Sequence, residues 1–324
     1  MFEAIQEAVS SWFGSGPQSS SGATGAGAAP PGGSPMATGT PTPEAANALF
    51  GGLFGGTDPA IGEAVKAQRE AMQVDAAKEK LKDKFNVSKE GGEGMNDVTP
   101  EQFDKLAKLY NNIEKGNTDI KFDTSAFGKD KDAAGNAKGM AMEDIAKMMQ
   151  TPSGRKMLEG LADNQSGEKD KDGNPVHKKT TLKLTDNKFD EPQCQEEGMQ
   201  AARNANDKEG GDAIEKKSTT PGVGTNAEIT YRPGERKELP DGPMATGDTT
   251  LFHEMAHAYH MTHGTKEASS ETVQTEGKDK GVRKEEHAAT GVGAHADDEM
   301  TENQYRAERR ALGDEDMQPR ETYR

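Results

Sequence analysis

The chain of 324 residues carries 56 acidic against 40 basic side chains, a formal net charge of −16, and only 31% of it is hydrophobic. An acidic surface repels phosphate backbones and no basic, aromatic-interleaved patch offsets it, so no nucleic-acid partner is expected. The single cysteine, Cys194, rules out a disulfide framework and a thiol metal site, and no apolar run approaches the roughly 18 residues that a transmembrane segment needs.

A chain this polar, with 38 glycines, cannot bury core along its whole length. Phe2, Ile5, Val9, Trp12 and Phe13 fall near one face of a short helix, which reads as either a frayed amphipathic end or a docking segment. Acidic Glu3 and spaced apolar residues argue against a cleaved general secretory signal. Residues 15–48 are Ser, Gly, Ala, Pro and Thr, and the paired Leu-Phe-Gly-Gly at 49–56 is too short to define a repeat architecture. The first 58 residues are therefore expected to be disordered.

From 59 to 138 the composition predicts helical segments followed by a linker. Ile61 to about Phe85 favours helix, and Thr99-Pro100-Glu101-Gln102 predicts a capped second helix through Phe103, Leu106, Leu109 and Tyr110 to Ile113. Residues 115–138 return to Gly, Asp, Lys and Asn, as a linker does. A domain is expected over 139–324. Its first helix, from Met140 to Leu161, should break or bend near Pro152-Ser153-Gly154. Thr180, Leu182 and Leu184 alternate with polar residues as one strand, Ala227 to Tyr231 offers another that could form a cleft edge, and 186–224 between them reads as a polar insertion. This order predicts an α+β domain with a small sheet and an active-site helix.

That helix is the most informative stretch. Leu251 to Gly264 contains His253-Glu254-Met255-Ala256-His257, an H-E-x-x-H pattern in a helix-compatible segment. Four residues of helix turn about 400°, so the two imidazoles sit about 40° apart and can reach one ion from one face. Leu251, Met255, Ala258, Tyr259 and Thr262 fall on the opposite face. Glu254, beside the first histidine, is placed to take a proton from water at the metal and pass it to a leaving amine. Asp248 is the expected N-cap and Gly264 the stop. The ion expected is zinc, one per chain.

A catalytic zinc site needs three protein ligands and an open position. His263 has the spacing of a third histidine, but His260 stands where that longer motif turns the chain with glycine, so the helix would carry His263 away. His260 is expected to line the cleft. A carboxylate from Glu285-Glu286, returning on a second helix, is another candidate; the neighbouring carboxylate would then orient a ligand histidine. Glu302 is a further reserve ligand. Arg320 and Tyr323 carry groups that can stabilise the oxyanion of amide hydrolysis.

The segment Gly224 to Pro233, the H-E-x-x-H helix with Gly264, and Thr301 to Glu308 resemble the NleD-like and HopH-like type III effector zinc peptidases. These in turn resemble clostridial neurotoxin light chains. The resemblance covers roughly 140–324 and implies a zincin-like metallopeptidase domain. It implies Glu286 as third ligand with Glu285 beside it, and an R-x-x-Y pair, here Arg320 and Tyr323, that steadies the transition state. The implied setting is secretion by a type III system into a host cytoplasm, a secretion chaperone at the N-terminal region, and host protein substrates such as mitogen-activated protein kinases. The sequence departs from the pattern in its threonine spacing after the paired glutamates, in 186–224, and in the histidines at 260 and 263. Two alternatives stand: an interbacterial or extracellular toxin peptidase, and a non-catalytic acidic binding protein with a structural zinc site.

Overall fold

The computed structural model describes residues 59–240, 242–268, 271–273 and 281–323. The amphipathic segment, the low-complexity stretch and the paired Leu-Phe-Gly-Gly, with the disorder expected over 1–58, lie outside the described residues. Helix α1 (Pro59–Leu81) is rich in Ala, Glu, Lys and Gln, strong helix formers, and buries Ala77 and Leu81 near its end. Helix α2 (Pro100–Lys115) begins with the expected capping box. The Thr99 hydroxyl accepts from the Gln102 N–H at 3.2 Å, and Gln102 Oε1 accepts from the Thr99 N–H at 2.8 Å. Phe103, Leu106, Tyr110 and Ile113 form its buried stripe.

The segment 115–138 is not a linker. Ile120 and Phe122 alternate with Lys121 and Asp123 in strand β1 (Ile120–Asp123). Asp130 then caps helix α3 (Lys131–Met148) by accepting from the Ala133 N–H at 2.9 Å. The boundary expected between 138 and 139 therefore falls inside a helix. One hydrophobic core joins Phe85, Phe103 and Tyr110 to Leu158, Leu182, Phe252 and Tyr305. A strand of four residues amid Gly, Asp and Lys is a weak pattern, and its partner lies about sixty positions downstream. The expected break near Pro152 is real: Thr151 caps a separate helix α4 (Pro152–Ala162), with proline in the first turn.

Strands β2 (Thr180–Leu184), β3 (Gln193–Glu196) and β4 (Ala227–Tyr231) complete a four-stranded sheet in the order β1-β2-β4-β3. The first three in that order run parallel, and β3 is antiparallel to β4. Leu182 pairs with Phe122 on one side and Ile229 on the other, so the alternating buried residues of β2 and β4 share a face. Residues 186–224 thus hold an edge strand and two short helices, α5 (Met199–Asn204) and α6 (Lys208–Ser218), and are more than a polar insertion. In consequence β4 is interior, and the edge expected of it belongs to β3. The β3 sequence, Gln-Cys-Gln-Glu, hides its strand character because an edge tolerates polar residues on both faces.

Helix α7 (Gly247–His263) crosses under this sheet and packs against α3, α4, β3 and β4. Its N-cap is Thr246, not Asp248: the Thr246 N–H donates to Thr249 Oγ1 at 2.8 Å. Asp248 faces inward instead, accepting from the Tyr305 hydroxyl at 2.7 Å and the Thr246 hydroxyl at 2.9 Å. Gly264 ends the helix as expected, at φ +73°, where a Cβ would lie 1.8 Å from the Thr220 carbonyl oxygen. Both faces of α7 are buried over most of its length, including the face that carries the histidines. Helices α8 (Lys284–Thr290) and α9 (Glu302–Ala311) close over that face. No helix among the described residues is long and apolar enough to cross a membrane.

Candidate metal centre

His253 and His257 sit one turn apart on α7, and Glu286 enters from the first turn of α8. Their donor atoms form a triangle. His253 Nε2 and His257 Nε2 are 3.1 Å apart, and Glu286 Oε2 lies 3.2 Å from the second and 3.4 Å from the first. Ligand bonds of about 2.0–2.1 Å in a tetrahedron require edges of about 3.3 Å, so the triangle has the size of a zinc site. These three residues can hold a metal ion.

The other nitrogen of each ring explains why the Nε2 atoms are free to converge. His253 Nδ1 meets Glu302 Oε2 at 2.9 Å, and His257 Nδ1 meets Glu285 Oε1 at 3.0 Å. A carboxylate at Nδ1 holds the proton there and turns the Nε2 lone pair toward the centre. Glu285 is itself fixed by the His260 Nδ1 at 2.8 Å and the Glu267 N–H at 2.8 Å. Glu302 takes the buried Arg306 Nε at 2.7 Å and lies 3.4 Å from Arg320 Nη1.

These contacts set the charges. Burial works against ionised Glu286, but hydrogen bonds from His253 and His257 hold its carboxyl far below the usual range. Burial likewise opposes Glu285, and His257 and His260 bring it down to about 2. For His253, burial favours the neutral ring but is overridden by Glu286 and Glu302, which hold it up to about 9. Glu254, buried beside the histidines, behaves differently: desolvation raises its pKa, which favours a proton on this carboxyl. A buried, proton-rich pair of imidazoles facing an ionised carboxylate is a donor set whose protons a cation can replace.

The tail comes back to the same place. The Tyr323 ring stacks on His253 at 5.9 Å between centroids, and the Arg320 guanidinium lies 4.7 Å over the Tyr323 ring. Burial, then the charge and hydrogen bond of Glu286, raise the Tyr323 hydroxyl well above its ordinary pKa and keep it a donor. Of the competing ligand candidates, Glu302 contacts the far nitrogen of His253 and not the triangle. His263 points elsewhere, with its Nδ1 2.8 Å from the Tyr259 carbonyl and its ring stacked on Tyr259 at 3.8 Å. His260 meets Glu285 rather than an open cleft.

Arg306 belongs to the Thr301 to Glu308 segment that carries the resemblance, but the sequence assigns it no role; its i, i+4 spacing from Glu302 on one helix is the signal for this ion pair. A second group, Asp119, Asp163 and His177, also converges, but Asp163 is 73% exposed and water competes for its oxygens.

No curated protein matches the chain. Among solved structures, the fold is similar to the crystal structure of botulinum neurotoxin type D light chain, with a TM-score of 0.36 and 14% sequence identity over 60% of this chain and 52% of that one. The chain thus spans about half the length of that structure. The Peptidase M91 family, described as effector proteins, matches residues 130–323, which hold the sheet strands β2 to β4, the histidine helix, the paired glutamates and the tail. A match over more than half of its length places this chain in the Peptidase M91 effector protein family.

Proposed function

We propose that this effector-family peptidase is a zinc-dependent endopeptidase, with His253, His257 and Glu286 holding one ion and Glu254 moving protons. The observation that carries the reading is the ligand-sized triangle of His253, His257 and Glu286, with each imidazole turned into it by a carboxylate on its other nitrogen. Zinc, when bound there, supplies Lewis acidity to a water and to the scissile carbonyl. Glu254 takes the proton of the attacking water and returns it to the leaving amine; its raised pKa suits a group that must hold that proton between the two steps. Arg320 and the Tyr323 hydroxyl donate toward the carbonyl oxygen as it gains charge. Glu285 and Glu302 keep the imidazoles in register.

The free edge of β3 is the place for an extended substrate backbone to pair. β3 ends the sheet, and Cys194 on it lies 3.8 Å, sulfur to sulfur, from Met261 on the histidine helix. A structural zinc would need a fourth protein ligand, whereas among the described residues this metal-ligand group contains three. By resemblance, the substrates are mitogen-activated protein kinases of a host cell, reached by type III secretion with a chaperone at the N-terminal region.

The test is a search for new peptide termini in host-cell lysate treated with the zinc-loaded full chain, with Glu254→Gln and chelated protein as controls. Termini that appear only with the active chain, including cuts in kinase activation loops, support the reading. A zinc-loaded chain that creates none removes it; cuts confined to other proteins remove only the kinase assignment.

A further inference from the structure

The tail that carries Arg320 and Tyr323 has no regular secondary structure from Pro319 to Tyr323, yet its side chains reach the metal centre. Met317 is buried and anchors the approach, while Arg306 Nη1 reaches the Gln318 carbonyl only at 3.4 Å. Beyond that point, among the described residues, the Asn303 side chain bonds the backbone. Asn303 Oδ1 accepts the Arg320 N–H at 2.7 Å, and Asn303 Nδ2 donates to the Arg320 carbonyl at 2.8 Å and to the Gly291 carbonyl at 3.1 Å. The amide thus pairs with both backbone groups of one residue, as two strands do across a narrow pair. Its orientation follows from the partners: turned over, it would set its oxygen against two carbonyls.

We propose that Asn303 is the positioning residue that clamps the tail in the site, tying the backbone of Arg320 to the end of α8, which carries Glu285 and Glu286, and to α9, which carries Glu302. Three parts of the centre then share one amide: the ligand helix, the helix that orients His253, and the tail with its donors. The consequence for catalysis rests on the reading of Arg320 and Tyr323 as oxyanion partners; the clamp itself does not.

Asn303→Asp is the informative variant. It keeps the size and the acceptor for the Arg320 N–H, but replaces the donor to two carbonyls with an oxygen that repels both. Hydrogen exchange on the full zinc-loaded chain is expected to show the 318–323 amides opening faster in Asn303→Asp. Zinc content should stay at one per chain. Displacing a catalytic group by about 1 Å costs on the order of 100-fold, so kcat should fall by about that factor, while KM changes by less than about threefold. In a background of Arg320→Ala with Tyr323→Phe, Asn303→Asp should cost nothing further in kcat.

Unchanged tail exchange together with unchanged kcat in Asn303→Asp overturns the proposal. If that variant does not fold, the unmodified chain still tests it: an Arg320 amide that exchanges at the free-peptide rate contradicts the clamp, and a protected one supports it. Faster tail exchange in a variant of a chain whose unmodified form cleaves nothing would support the clamp while removing the peptidase reading.

Discussion

Deleting one donor from the triangle of His253, His257 and Glu286 leaves two protein ligands, too few to hold a catalytic zinc. Glu286→Gln is therefore expected to lose zinc in chelator competition. Glu285→Gln and Glu302→Gln, which leave the three donors in place but change what the rings lean on, should weaken binding by about 10- to 100-fold. His263→Ala should leave zinc affinity unchanged, because its ring packs on Tyr259. Zinc lost from His263→Ala and kept by Glu286→Gln would sink this ligand set. The same contacts give a pH dependence. In the metal-free chain the His253 pKa is held up to about 9, against about 6.5 for a free imidazole. A raised pKa contributes stability that is full below about pH 6.5 and is lost as pH rises through about 9. Under the proposed ligand set, zinc would take the place of that proton when bound. The gap in Tm between zinc-loaded and chelated protein should widen from pH 6.5 to pH 9, and a gap that narrows over that range would contradict the linkage. At this scale the sequence was legible where spacing carries chemistry, as in His253, Glu254 and His257. The distant partners were not, because nothing in a run such as Glu302 to Arg306 says that a charged helix face is buried. Glu286, Arg320 and Tyr323 came forward mainly through family resemblance.

Helix α7 depends on how it stops. Gly264 has a left-handed φ, and the chain of 220–225 passes so close that a Cβ would overlap the Thr220 carbonyl. Gly264→Ala is expected to destabilise the chain by more than about 1 kcal/mol in urea unfolding. Wild-type stability in that variant would mean that the end of the helix adjusts freely. The glycine stop, the capping box at Thr99 and the alternation of Thr180, Leu182 and Leu184 were all readable, because each is a local rule with a local cause. Strand β1 and edge strand β3 were hidden for the opposite reason. Each is only four residues long and is made a strand by partners far away in the chain. Thr246 took the cap expected of Asp248 because the inward pull of Tyr305 and Lys147 on that carboxylate is tertiary.

The core that supports the metal centre reaches back to Phe85 and Phe103, and β1 is an edge of the main sheet. A chain begun at residue 59 is expected to keep its cooperative unfolding and its zinc. A chain begun at 139 should not fold: it lacks β1 and the buried Phe103, Tyr110 and Ile113. Large buried side chains are worth about 2–5 kcal/mol each, against a typical total stability of about 5–15 kcal/mol. A folded, zinc-binding 139–324 fragment, seen by circular dichroism melting and metal content, would contradict the single core. In the molecule as a whole, one carboxylate, Glu254, is proposed to move protons beside three residues that could hold an ion. Zinc content and substrate cleavage measured together on full-length Glu254→Gln separate these roles most directly. The expected result is close to one zinc per chain with cleavage lost, and a Glu254→Gln protein that binds zinc and still cuts would contradict it.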